Sequence, residues 1–234
     1  MHYSGGILST LKKVLKKVKT ELARKERVRD KAHENIRKAT SLSKQTILLI
    51  HQSRFDEAET TVEKAKELIS DLQALSSDYP DVIYGGMFSA ALQEYSEANI
   101  FLKMTKDDEL PSPEDIKVPP VDYVLGLADV IGEFRRLSLD ALREGNVEKG
   151  EKCLRIMDEI FVELLALDET YMLVPGLRRK SDIARRIIEA TRGDITQEVR
   201  RKSLEDHLKR FELSSKRELV KKGRPDGREN GPAA

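Results

Sequence analysis

Glu94 and Glu97 stand three residues apart in ALQEYSEANIF, residues 91–101. Residues three and four apart share a helix face, so Met87, Ala90, Glu94, Glu97 and Phe101 fall on one stripe. The neighbouring stripe, Tyr84, Phe88, Ala91, Tyr95, Ala98 and Leu102, is apolar. Ser89, Gln93, Ser96 and Lys103 form a third side, expected to face water. Two acids on an apolar stripe repel each other, and an ionised carboxylate is buried at a cost of several kcal/mol unless it is paired. A hard divalent cation reverses that penalty, and an oxygen-only donor set favours magnesium or manganese.

Asp129 and Glu133, four apart, offer a second pair. Two readings stay open for them. They complete a metal site with the glutamates, or they belong to an ordinary polar stripe through Asp122, Gly126, Arg136 and Asp140, satisfied by arginines such as Arg135 or Arg136. Gly126 and Gly132 weaken the helix that carries them, as interior glycines do where another chain or a ligand comes close. The four histidines, His2, His33, His51 and His207, lie beyond helical reach of Glu94 and Glu97. The chain contains no G-x-S-x-G, no G-x-x-x-x-G-K and no H-E-x-x-H, which leaves carboxylates as the material for any catalysis.

The elements that would carry these residues are helical throughout, because period-3.6 patterning dominates and no strand alternation survives. The first helix is expected over about 9–52, some 60 Å at about 1.5 Å per residue, with its lysine-rich start either projecting or breaking away near residue 25. Further helices are expected at about 54–77, 82–105, 121–143, 147–168, 176–192 and 195–220. TKDDELPSPEDIKVPP, residues 105–120, holds four prolines and reads as a long loop. Gly145-Asn146 marks a turn, and Gly193 a helix stop. The expectation is a single all-α domain over 1–222, an antiparallel seven-helix bundle, followed by a disordered tail over 223–234.

The 234-residue chain is 35% charged and 5% aromatic, with one cysteine, Cys153, and no tryptophan. One cysteine excludes an internal disulfide and a thiolate zinc site. Lysines interrupt the apolar positions of residues 7–18, unlike a secretory signal, and no run reaches the length of a membrane span; a soluble cytoplasmic protein with no membrane partner is expected. Charge is uneven: residues 1–40 carry +8, residues 41–199 carry −12 and residues 200–230 carry +5. Basic ends on an acidic body permit a polyanionic partner.

LQEYSEA (92–98), VPPVDYVLGLADVIGEF (118–134), SKQTILLIHQ (43–52), the segment around MDEIF, and LRRKSDIARRIIEATRGDI (177–195) resemble, in matching order over roughly 27–193, the TRAX branch of the translin/TRAX family. The resemblance implies a seven-helix subunit that assembles into a hollow octamer and binds or cleaves single-stranded RNA inside it, with DNA or duplex RNA as further ligands. It implies a magnesium-dependent endoribonuclease, with manganese as substitute, whose acids fall on Glu94, Glu97 and Asp129, with Glu133 in support. IYGGMFSAALQ (83–93) lacks the basic nucleic-acid motif of translin, so a homo-octamer is expected, with Lys44, Arg135 and Arg136 as nucleic-acid contacts. A non-catalytic RNA-binding cage is the main alternative. An all-α nucleotide pyrophosphohydrolase, which also uses E-x-x-E pairs, fits less well because a long loop separates the two acidic pairs.

Overall fold

The computed structural model describes residues 4–222, which are helical apart from short connections and the loop 107–119. The α-helices are α1 (Ser4–His51), α2 (Phe55–Ser76), α3 (Pro80–Ile83), α4 (Gly86–Lys106), α5 (Pro120–Arg143), α6 (Val147–Leu165) and α7 (Leu177–Lys222), with a 3₁₀ turn at Asp168–Leu173. The disordered tail expected over 223–234 lies outside the described residues. Among the described residues no helix is long and apolar enough to cross a membrane.

Three helix boundaries differ from expectation, one being that the helix expected from about 82 begins at Gly86, behind the separate short α3. The first helix does not break near residue 25; α1 is continuous over 48 residues, about 72 Å. Ile7, Leu8, Leu11, Val14, Leu15, Val18 and Leu22 on its first turns are exposed, so the lysine-rich part projects. Gly193 does not stop a helix either. Thr191 and Ile195 on both sides of it are buried, and Arg135 holds Thr191 and Asp194. An interior glycine costs about 1 kcal/mol relative to alanine, which that packing outweighs, and the two expected helices are one.

α4 is the central helix. It packs on α1, α2 and α5, while α5 packs on α6 and α7. The face with Ser89, Gln93 and Ser96 therefore does not face water: Ser96 is fully buried, and Ser89 and Gln93 are half-buried against α5. Phe88, Tyr95 and Phe101 are core, whereas Tyr84 is exposed. Cys153 is buried, as a small packed hydrophobe.

The hairpins α1–α2 and α5–α6 are antiparallel, the second closing through Gly145 at positive φ and the Asn146 cap on Lys149. By contrast, α1, α4, α5 and α7 share one direction. Lys44 meets Glu94 and His51 meets Phe101, a constant offset of 50 residues. Ser89 meets Asp122 and Phe101 meets Phe134, a constant offset of 33. Lys180 meets Leu125 and Arg135 meets Thr191, at 55 and 56. The loop 107–119 makes this arrangement by carrying the chain back along α4 before α5 begins. Glu94 to Phe101, His51, Asp129 to Phe134 and Lys180 consequently lie at one level of the bundle.

Candidate functional site

Gly126 sets the distance between the two acidic pairs. A Cβ at this position would stand 2.6 Å from Ser96 Cβ, 2.7 Å from the Gln93 carbonyl oxygen and 3.0 Å from Glu97 N. Glycine thus lets the α5 backbone touch α4 one turn from the acids, which is the close approach its place in the sequence signals. Gly132 marks no such contact, since nothing lies within 4 Å of its Cβ position.

Two acids are buried in the α4–α5 seam, and the fold treats them differently. Asp122, 6% exposed, accepts from Ser89 Oγ at 2.5 Å and from Gln93 Nε2 at 3.3 Å, and it lies in the first turn of α5, where a helix favours negative charge. Glu97, 8% exposed, is given no hydrogen bond and no ion pair. Burial first, and then the charges of Asp129, Glu133 and Glu94, push its carboxyl up to about 8, opposed by the charge of Lys180. The fold thus brings Glu94, Glu97, Asp129 and Glu133 into one electrostatic neighbourhood and leaves its most buried member without a cationic partner.

The other three acids each meet a basic side chain from another helix. Lys44 Nζ lies 3.2 Å from Glu94 Oε1. His51 Nε2 lies 2.5 Å from Glu133 Oε2. Lys180 donates to Asp129 Oδ2 and, at 3.2 Å, to the Leu125 carbonyl. Of the expected nucleic-acid contacts, Lys44 is therefore at the acids with its side chain 63% exposed. Arg136 is exposed. Arg135 turns away to α7, donating to Thr191 Oγ1 at 2.7 Å and to the Ile187 carbonyl at 3.2 Å, and pairing with Asp194 at 3.3 Å.

His51 and Lys180 were not among the expected site residues. His51, set aside for its distance in sequence, is the correction that matters most. Its side chain is 4% exposed, its ring packs on Phe101 at a 42° tilt with 5.2 Å between centroids, and its Nδ1 is buried without a partner. One signal pointed to it: His51 lies two turns after Lys44 on the same helix face. Lys180 carries no such signal, being the third basic residue of an RRK run.

The donor set fits a hard divalent cation in kind: four carboxylates, with no thiolate. As the side chains stand, no three His, Cys, Asp or Glu groups among the described residues converge closely enough to hold a metal ion. Lys44 and Lys180 neutralise Glu94 and Asp129 in part, and His51 holds Glu133 by a hydrogen bond, so the four acids can remain apart.

The chain belongs to the translin family, whose family model matches residues 23–190, and the all-helical bundle agrees with its structural neighbours. The uncharacterized protein MJ0175 of Methanocaldococcus jannaschii is 33% identical over 200 residues, 84% of this chain and 88% of that one. Among solved structures, AfC3PO in complex with duplex RNA is similar with a TM-score of 0.71 and 31% identity, covering 79% of this chain and 95% of that one. Apo-NeC3PO gives a TM-score of 0.71 at 25% identity, over 79% and 96% of the two chains.

Proposed function

We propose that this protein is a TRAX-like, metal-dependent endoribonuclease that cuts single-stranded RNA inside a homo-octameric cage. The observation that carries the reading is Glu97: a buried carboxylate, unpaired and pressed upon by Asp129, Glu133 and Glu94. A stability role would be served better by the treatment Asp122 receives, with donors from Ser89 and Gln93. Likeness to AfC3PO, solved with duplex RNA, supports RNA as the ligand, with duplex RNA or DNA as further ligands.

In this reading Glu94, Glu97 and Asp129 hold Mg²⁺, with Mn²⁺ as substitute. Bound there, the ion supplies Lewis-acid polarisation of a phosphoryl oxygen and eases deprotonation of water. Glu97 would serve that ion as a carboxylate, the form that a neighbouring positive charge favours. His51 holds Glu133 by one oxygen, Oε2. Lys44 and the exposed Arg136 draw in the phosphate chain, helped by the basic N-terminal part of α1, in a salt-dependent way.

The partners of Asp129, Glu133 and Glu94, which are Lys180, His51 and Lys44, favour one competing reading, an RNA-binding cage that does not cut. Incubation of labelled single-stranded RNA with Mg²⁺, Mn²⁺ or EDTA separates the two. Divalent-dependent cleavage lost in Glu94→Ala, Glu97→Ala and Asp129→Ala, with the assembly unchanged by light scattering, is the expected result. Salt-sensitive RNA binding by the wild type without cleavage in any divalent ion would select the inert cage.

A further inference from the structure

Lys180 is the most enclosed lysine at the carboxylates. Its side chain is 23% exposed, against 63% for Lys44. An ammonium has three N–H donors, and the structure assigns two of them, to Asp129 and to the Leu125 carbonyl. Both acceptors are on α5, one turn apart, so the ammonium is anchored by main chain as well as by a carboxylate. Beside it opens a cavity of about 120 Å³ whose polar lining is Asp129 and Lys180, the rest being Gly132 and aliphatic side chains of α5 and α7. Gly132 contributes to this space by having no side chain. The charge of Lys180 also reaches Glu97, where it is the influence that opposes the upward shift.

We propose that Lys180 is a substrate-contacting residue of the site, whose remaining N–H meets a non-bridging oxygen of the RNA phosphate next to Asp129. This rests on the nuclease reading above. An ammonium preset in a half-buried place stabilises charge developing on a phosphoryl group without reorganising at the moment of reaction. The Leu125 carbonyl keeps it in position when the Asp129 carboxylate turns to another cation. A lysine that only pinned α7 to α5 would have no need to face a cavity beside Asp129. Such a role is already filled one level further along by Arg135 with Thr191 and Asp194.

The test compares wild type with Lys180→Met and Lys180→Arg in three measurements: folding by denaturant midpoint, Mn²⁺ binding without RNA by electron paramagnetic resonance, and single-turnover RNA cleavage. Lys180→Met is expected to lower the cleavage rate about 10²- to 10³-fold, the range for loss of one preset donor to a transition-state oxyanion. It is expected to tighten Mn²⁺ binding about tenfold, because a cation that competes for Asp129 is gone. Lys180→Arg keeps the charge and is expected to retain the wild-type Mn²⁺ affinity with part of the rate. Cleavage by Lys180→Met within threefold of wild type, or weakened Mn²⁺ binding in parallel with lost cleavage, would overturn the assignment and leave Lys180 as a strut. If Lys180→Met does not fold, Lys180→Arg decides: a reduced rate at wild-type Mn²⁺ affinity in that folded variant supports the contact, and a wild-type rate or weakened Mn²⁺ binding overturns it. Wild type that binds no Mn²⁺ and never cuts would remove the nuclease reading itself, a result distinct from either.

Discussion

His51, the last residue of α1, presents Nε2 to Glu133 Oε2 at 2.5 Å, joining the first helix to the fifth across 82 residues of chain. The imidazole also packs on Phe101, which in turn meets Phe134 edge-on at 5.5 Å. Removing it deletes a buried hydrogen bond and an aromatic contact together. We expect His51→Ala to destabilise the fold by about 2–4 kcal/mol, read as a lowered midpoint with an unchanged m-value in urea. A loss below about 0.5 kcal/mol would mean that Glu133 is satisfied elsewhere.

Glu97 predicts a pH dependence of stability in the absence of divalent ions. Its carboxyl is raised from 4.5 to about 8 in the fold, so the folded state retains a proton that the unfolded chain releases. Its contribution is therefore fully present below about pH 4.5 and is lost as pH rises toward about 8, with a slope approaching 1.4 kcal/mol per pH unit for one proton. Glu97→Gln cannot release that proton. The stability difference between variant and wild type in EDTA should widen in favour of the variant from pH 5 to pH 8. Parallel profiles would contradict the isolation of Glu97.

Gly126 and Gly132, six residues apart on α5, should respond to alanine with opposite signs. At Gly126 the new Cβ meets Ser96 Cβ and the α4 backbone at 2.6–3.0 Å, and overpacking of that kind costs about 1–3 kcal/mol or more. At Gly132 nothing lies within 4 Å, and the gain in helix propensity, up to about 1 kcal/mol, should appear as stabilisation. Thermal melts of the two variants decide; equal shifts would refute the close approach.

Arg135 and Arg136 are adjacent in sequence but placed for different tasks. Arg135→Ala is expected to cost about 1–3 kcal/mol of stability through its lost bonds to α7, with little change in RNA affinity per folded molecule. Arg136→Ala is expected to leave stability within about 0.5 kcal/mol and to reduce the salt slope of RNA binding by about one phosphate contact. Equilibrium binding between 50 and 200 mM salt separates the two.

How much of this was legible in the chain follows from where the information lies. The helical class and most helix ends came from local periodicity, and Glu94 and Glu97 stood out because they interrupt an apolar stripe. Asp129 and Glu133 were ambiguous, since a polar stripe and half of a buried site look alike until the partner helix is known. Gly193 was misread because the α5 contacts that carry the helix through it lie about 60 residues back in the chain. His51 and Lys180 went unseen for the same reason: they lie 82 and 51 residues from the carboxylates they meet, and those meetings depend on helix offsets that no local pattern encodes.

The shared direction of α4 and α5 bears on how the chain can be cut. Their register is held by contacts between the helices themselves, from Ser89 with Asp122 to Phe101 with Phe134. The connecting loop is pinned mainly in its second half, where Ile116 and Val118 are buried, Gln73 donates to the Lys117 carbonyl and Tyr123 to that of Pro111. Residues 107–110 are exposed. The chain could be severed there, and the two acidic pairs would still find each other as complementing fragments.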